Sequence, residues 1–287
     1  MSTIIDGLSL GAIYALVALG YTMVYGIAKM LNFAHGDIIM VGAYAVLSTL
    51  ALMGFPILAI VVSVVVCTIL GITIEKVAYR PLRGASPLAV LITAIGVSYL
   101  LQSIAQLIYG AQALPVTLAQ FGTVNLFGVV LNISTLLTLF IGARIMVGLT
   151  MFVNHTRTGR AMLAVSEDRK AAQLMGINVN KIITLTFGIG SALAACASLF
   201  YLMQIPSATP TLGSMPGIKA FTAAVIGGIG SIPGAMLGGL LLGLIEKICL
   251  SIPALNPFTQ AIEFGLLIVI LLLKPTGMLG RKRREKV

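Results

Sequence analysis

Charge is what this sequence has least of. Of its 287 residues only 9% are Asp, Glu, Lys or Arg, while 59% are AVILMFWYC and a further 31 are glycine. A soluble domain carries about 25% charged residues, and the surface of a soluble fold needs polar cover that this chain does not have. The shortage excludes a soluble enzyme, a nucleic-acid-binding domain and a disordered chain. It leaves an integral membrane protein with several spans. Cysteine and histidine are also scarce. Cys67, Cys196 and Cys249 all stand in apolar stretches and read as small buried hydrophobes, and no CxxC pair or Cys/His cluster marks a metal site. Of the two histidines, His155 lies in a basic loop and His35 stands two residues before Asp37. No nucleophile accompanies that pair, so no catalytic residue is assigned. A phosphate loop is missing too, because the glycine-rich run at 227–234 has no lysine after it.

What is present is apolar length. A helix crossing the hydrocarbon needs about 20 apolar residues. Such stretches fall near 5–27, 36–53, 56–77, 88–109, 132–153 and 181–205, followed by less regular ones at 210–229, 232–250 and 258–274. The fold class is therefore an all-α integral membrane protein, a polytopic bundle of about eight to ten helices, some short or broken. The first apolar run has no positive region before it and is too long for a cleavable signal peptide.

The net charge of +10 mostly reports topology. Thirteen of the 18 basic residues fall in three places: after the third segment (Lys76, Arg80, Arg83), between the fifth and sixth (Arg157, Arg160, Arg169, Lys170, Lys181), and in the tail (Arg281, Lys282, Arg283, Arg284, Lys286). The intervening segments 110–132, 206–217 and 251–257 carry no charge. With nine segments all three basic regions lie on one side, the cytoplasm, which puts the C-terminus inside and the short N-terminus outside.

Residues 154–180 form a connection too long for a compact bundle. Ser166 is a candidate N-cap, with Glu167 and Asp168 in the first turn and Gly176 closing the helix. The spacing predicts a helix over 167–175, about 14 Å long. It reads as a docking element for another protein or as a helix resting on the lipid interface.

Few ionisable groups stand inside the spans. Glu246, Lys247 and Glu263 fall near the outer ends, where snorkelling or mutual pairing accounts for them. Arg144 falls near mid-span, so that it either faces a cavity or marks a misplaced boundary. This shortage argues against coupling to an ion gradient. Two segments are candidates for irregular backbone inside the bilayer. Asn32-Phe33-Ala34-His35-Gly36-Asp37 is either a polar cap between spans or a break lining a substrate route, and its density of polar groups favours the second. Gly227-Gly228-Ile229-Gly230-Ser231-Ile232-Pro233-Gly234 is either a face for close helix packing or a discontinuous element, and packing is the better reading.

Taken in order along the chain, these motifs resemble a known family. Gly11-Ala12-Ile13-Tyr14-Ala15-Leu16, Gly20-Tyr21-Thr22-Met23-Val24-Tyr25-Gly26 and the segment 32–37 look like the start of a LivH-type permease. That is the membrane subunit of bacterial ABC importers for branched-chain amino acids. Val77-Ala78-Tyr79-Arg80-Pro81, Thr93-Ala94-Ile95-Gly96, Thr158-Gly159-Arg160-Ala161, Glu167-Asp168 with Met175-Gly176-Ile177-Asn178, Lys219-Ala220-Phe221-Thr222, the run 227–235 and Pro275-Thr276-Gly277 continue the series. The resemblance implies the ABC importer permease fold over 1–287 as a single transmembrane domain, with a coupling loop at 154–180. It implies a place in the bacterial cytoplasmic (inner) membrane. The partners implied are two cytoplasmic ABC ATPase subunits that bind ATP and magnesium, a second related permease subunit, and an extracytoplasmic binding protein that delivers the amino acid. The chain itself needs no cofactor and no nucleic acid. Glu167, Asp168, Arg169, Gly176, Ile177 and Asn178 match the ATPase-coupling region. Asn32, Phe33, His35, Gly36 and Asp37, with Gly227, Gly228, Gly230 and Pro233, are the candidates for lining the substrate route. Related permeases for urea and short amides share the Asn-x-Ala-His-Gly pattern and supply the alternative substrate class. A stand-alone secondary transporter or channel is a more distant alternative.

Overall fold

The structure is a computed structural model that describes residues 2–116, 122–126 and 129–280; the basic tail at 281–286 lies outside them. It is a helical bundle. In chain order the helices are α1 (Ser2–Ala28), α2 (His35–Met53), α3 (Pro56–Ile74), α4 (Pro87–Tyr109), α5 (Ile133–His155), α6 (Arg157–Glu167), α7 (Arg169–Leu174), α8 (Val179–Gln204), α9 (Ser214–Gly227), α10 (Ile232–Ser251) and α11 (Thr259–Leu273). A π-helical turn at Glu75–Tyr79 extends α3. Among the described residues eight helices are long and apolar enough to cross a membrane. Among the described residues four short strands lie in the uncharged connections: β1 (Leu114–Pro115) pairs with β4 (Ser207–Ala208), and β2 (Thr123–Leu126) with β3 (Val129–Asn132).

Local chemistry sets the helix ends. Proline occupies the first turn of α3, α4 and α10, where a missing N–H costs nothing. Ser86 and Ser231 cap α4 and α10 by accepting from the Ala89 and Gly234 amides at 3.3 and 3.2 Å. Gly54, at φ +69°, ends α2 in the left-handed conformation.

α1 is the buried centre, against which α8, α9, α10 and α5 pack. It runs antiparallel to α10 at glycine-to-backbone distance. A Cβ on Gly7 would stand 3.0 Å from the Leu244 Cα, and one on Gly11 2.7 Å from the Leu240 Cα. Gly239 and Gly243 of α10 press in return on Ala15 and Gly11. Without a hydrophobic drive between helices in lipid, such small faces supply the close contact that holds them.

The segment expected at 210–229 contains instead a 14-residue helix, α9, of about 21 Å. The chain leaves β4 through turns at 209–213 and begins α9 inside the bundle, where Gly213 meets Gly36.

Ionisable groups inside the bundle are more numerous than the four weighed from sequence. Lys219 of α9 is buried and bridges Glu246 of α10 at 2.7 Å and Glu263 of α11 at 3.2 Å, and the Tyr14 hydroxyl donates to Glu246 at 2.7 Å. Mutual pairing does explain both glutamates, with a lysine that the sequence reading left uncounted. Asp37 and Glu75 are buried as well. The shortage of intramembrane charge therefore no longer supports the argument against ion coupling.

The described basic segments collect at one end. Arg83 pairs with Glu75 and reaches Asn180, and Thr184 donates to the other Glu75 oxygen at 2.6 Å. Met278 and Leu279, just before the tail, bond to the carbonyls of Ile226 and Gly227 at the end of α9.

Candidate functional site

Two helices start within the bundle and face each other. α2 begins at His35 after the link 29–34, and α9 begins at Ser214. Glycines make this approach possible: a Cβ on Gly36 would lie 2.6 Å from the Gly213 carbonyl oxygen, and one on Gly217 2.8 Å from the Gly36 Cα. Each start brings the positive end of a helix dipole to the meeting point, while the His35, Asp37, Ser214 and Gly217 amides bond to nearby chain carbonyls and Pro216 has no amide hydrogen.

Beside it lies a cavity of about 330 Å³, at the lower end of the roughly 300–1,000 Å³ common for small-molecule sites. Its polar wall is built on Asp37, in the first turn of α2. The Asp37 carboxylate accepts from the Ser98 hydroxyl and from Gln102 Nε2 at 2.9 Å, and Gln102 Nε2 also lies 3.3 Å from Ser214 Oγ. Ser98 and Gln102 are four residues apart, so they share one face of α4. Leu91, Ile95 and Tyr99 of α4, with Ile218 of α9 and Phe33, supply the apolar wall. Ser98 stands eleven residues into α4, about 17 Å from its start, which puts the cavity near mid-depth of the bundle.

An aromatic group closes the cavity toward the basic end. The Tyr21 ring meets His35 edge-on at 4.8 Å and Phe221 at 5.8 Å, and Phe33 lies 5.3 Å from Phe221. Tyr21 and Phe221 also border a tight crevice beyond, with Tyr25, Met30, Asn32 and Ile229. The arrangement is a polar and apolar chamber, with an aromatic plug beneath it.

The candidates from sequence divide accordingly. Phe33, Gly36 and Asp37 line the cavity. Asn32 and His35 do not: Asn32 Oδ1 accepts from Tyr79 at 2.7 Å and borders the crevice, and the buried His35 ring packs under Gly20 and Tyr21. Gly227, Gly228, Gly230 and Pro233 form the tight turn from α9 to α10 and do not line the cavity. Gly227 abuts Gly234, Gly228 abuts Gly277 and Gly280, and a Cβ on Gly230 would lie 3.9 Å from the Gly26 Cα. Close packing is the role seen there.

The connection 154–180 is two helices rather than the single one expected at 167–175. Thr156 caps α6 by accepting from the Gly159 amide at 3.0 Å. Asp168 caps α7 by accepting from the amides of Lys170 and Ala171 at 2.8 and 3.0 Å. Ser166 is no cap, since its hydroxyl donates back to the Leu163 carbonyl at 2.7 Å. Glu167 ends α6 instead of opening a helix. The break occurs because an Asp in extended conformation satisfies the next amides better than a continued turn would. Gly176 does follow the last turn of α7, at φ +81°, and Asn178 caps α8 by accepting from the Lys181 amide at 3.0 Å. The Ile177 amide bonds to the Ala172 carbonyl at 3.0 Å. Arg169 donates to the carbonyls of Ile27, at 3.2 Å, and Ala28, tying α7 to the end of α1. Burial, and then the nearby Arg83, lower the Arg169 pKa from its ordinary value. Leu174 and Met175 stand 90% and 83% exposed at the tip.

Residues 3–271 match the family described as the permease component of branched-chain amino acid transport systems. The chain belongs to this family. The high-affinity branched-chain amino acid transport system permease protein BraD of Pseudomonas aeruginosa is 46% identical over 301 residues, covering 100% of this chain and 98% of that one. The corresponding protein LivH of Escherichia coli is 42% identical over 299 residues, covering 98% and 96%. The ribose import permease RbsC of E. coli is 32% identical over only 127 residues, 42% of this chain and 39% of that one. The full-length likeness is thus to the branched-chain permeases.

Several site residues of this permease escaped the sequence reading: Ser98, Gln102, Ser214 and Tyr21. One signal was available. Ser98 and Gln102 are polar residues at i and i+4 in a mostly apolar helix that also carries Thr93, Ser103 and Gln106, and their spacing places two hydrogen-bonding groups on one stripe. Nothing in the sequence tied that stripe to Asp37.

Proposed function

We propose that this permease is the membrane-spanning subunit of an ATP-driven importer of branched-chain amino acids, and that the chamber at Asp37 is its substrate site. The observation that carries the chamber assignment is the pairing of a buried carboxylate with an apolar wall in a space of about 330 Å³. A zwitterion with an aliphatic side chain needs both. Its ammonium is stabilised by Asp37, its carboxylate by the Ser214 hydroxyl at the positive end of the α9 dipole, and its side chain by Leu91, Ile95 and Ile218. Helix starts aimed at a mid-depth site are a recurrent way to hold such charges inside a membrane domain.

The basic end faces the cytoplasm of a bacterial inner membrane, as the distribution of Lys and Arg supports. There α6 and α7, with Glu167, Asp168 and the exposed Leu174 and Met175, are where a pair of ATPase subunits docks. ATP and magnesium are bound by those subunits, and this chain contributes no nucleotide site or cofactor. A second, related permease subunit completes the pathway, and an external binding protein loads the amino acid from the far end. Arg169 provides the mechanical link. Motion of α7 pulls on the last carbonyls of α1, and α1 carries Tyr21, which seals the chamber toward the basic end. Each ATP cycle would shift Tyr21, Phe33 and Phe221 apart and release the amino acid inward.

The full-length similarity to branched-chain permeases supports this substrate class over urea or short amides. Reconstitution of the complete transporter in proteoliposomes tests it. Leucine should accumulate only with ATP and binding protein present, and urea should not. ATP-independent leucine flux through this chain alone, or ATP-driven uptake of urea in place of leucine, would overturn the proposal.

A further inference from the structure

Arg144 has no role in the chamber or in coupling, yet its position is costly. α5 runs unbroken from Ile133 to His155, and Arg144 is eleven residues from each end. That distance is about 17 Å either way, beyond the reach of a snorkelling arginine. The doubt about a misplaced helix boundary therefore disappears. Its side chain is exposed on the outer face of α5, over the Phe140 ring at 5.7 Å. It makes no hydrogen bond or ion pair among the described residues. The other exposed charges on the spans, Lys76 and Lys181, lie within a turn of a helix end.

A guanidinium at the centre of a bilayer must be paired with protein or reached by water. The face around it is open: Phe140, Val147 and Met151 are exposed beside Arg144, and a Cβ on Gly148, one turn further on, would meet nothing within 4 Å. A second copy of this chain is a poor occupant, since a twofold contact across this face would set Arg144 beside its mate with no anion between.

We propose that the outer face of α5 packs against a membrane-spanning chain of different sequence, which presents a carboxylate at mid-depth to Arg144. The pairing is bidentate and buried on assembly. This surface is opposite in sense to the chamber, being cationic and outward-facing, and it does not depend on which substrate is carried.

The test uses the assembled transporter in its native membrane. A photo-reactive benzoylphenylalanine at Val147 should crosslink to a distinct membrane-spanning chain, at a segment carrying Asp or Glu. The same probe at Leu272, on the exposed face of α11, is the comparison. Arg144→Glu should lower recovery of the complex at least about tenfold, because it opposes two buried carboxylates. Replacing the crosslinked acid by Lys in the partner should restore recovery to within about twofold. Crosslinks from Val147 to lipid alone or to a second copy of this chain would overturn the proposal. So would Arg144→Glu assembling normally, or failing to be rescued by the reciprocal change while Arg144→Lys assembles.

Discussion

Asp37 is a buried carboxylate in the first turn of α2. It is 2% exposed, held by Ser98 and Gln102, and lies against a cavity with room for another cation. Asp37→Asn keeps the shape and removes the charge. Its expected effect is a roughly ten- to hundredfold weaker apparent affinity for leucine, since a hydrogen bond to a charged partner contributes about 1.5–3 kcal/mol. The leucine concentration dependence of ATP-driven uptake measures it. Lys219 belongs to another class. Its removal leaves Glu246 and Glu263 buried beside each other, so Lys219→Met should destabilise the fold by about 3–5 kcal/mol. A lower unfolding temperature of the purified permease, recovered in part by adding Glu246→Gln and Glu263→Gln, is the expected result. At this scale the sequence was least legible. Asp37 stood out by its polar neighbours, while Lys219 passed unnoticed inside a motif. Charges paired across 44 positions of sequence, as Lys219 and Glu263 are, show no local sign of their partner.

Among the elements, α7 is the one whose internal chemistry makes a prediction independent of the substrate. Asp168 holds two first-turn amides of a helix of only six residues. Loss of a cap costs about 1 kcal/mol, and so short a helix has little else of its own to offset it. Asp168→Ala should loosen α7 and lower ATP-driven uptake, while Asp168→Asn, which also caps, should retain most of it. Glu167→Lys, an exposed change beyond the cap, should weaken ATPase binding without changing the unfolding temperature. Normal ATPase recovery in that variant would count against docking at this site. The long helices were legible because twenty apolar residues in a row admit few alternatives in a membrane. The connection 154–180 was half legible: Gly176 ends its helix as its freedom at positive φ favours, but the Asn178 cap of α8 was not foreseen, and the break at Asp168 depends on a competition between cap and continued helix. α9 looked like part of a full span because its preceding turns, 209–213, carry no charge to mark a break. Only the contact of Gly213 with Gly36 shows where the helix starts.

At the scale of the whole molecule, α1 joins the two ends of the account. It packs through its glycines on α10, takes the grip of Arg169 at its last carbonyls, and carries Tyr21 at the floor of the chamber. The central claim is that the amino acid occupies the chamber between α2, α4 and α9 on its way across. Substrate protection tests it most directly. Ile95→Cys puts a thiol in the apolar wall at a position 44% exposed, in the assembled, transport-active complex, with the unsubstituted complex as background for the native cysteines. Leucine under turnover should slow maleimide labelling of that thiol several-fold, and 4-methylpentanoate, which lacks the ammonium that Asp37 would hold, should not. Labelling that proceeds at the same rate with and without leucine, in a complex that still transports it, would contradict the account.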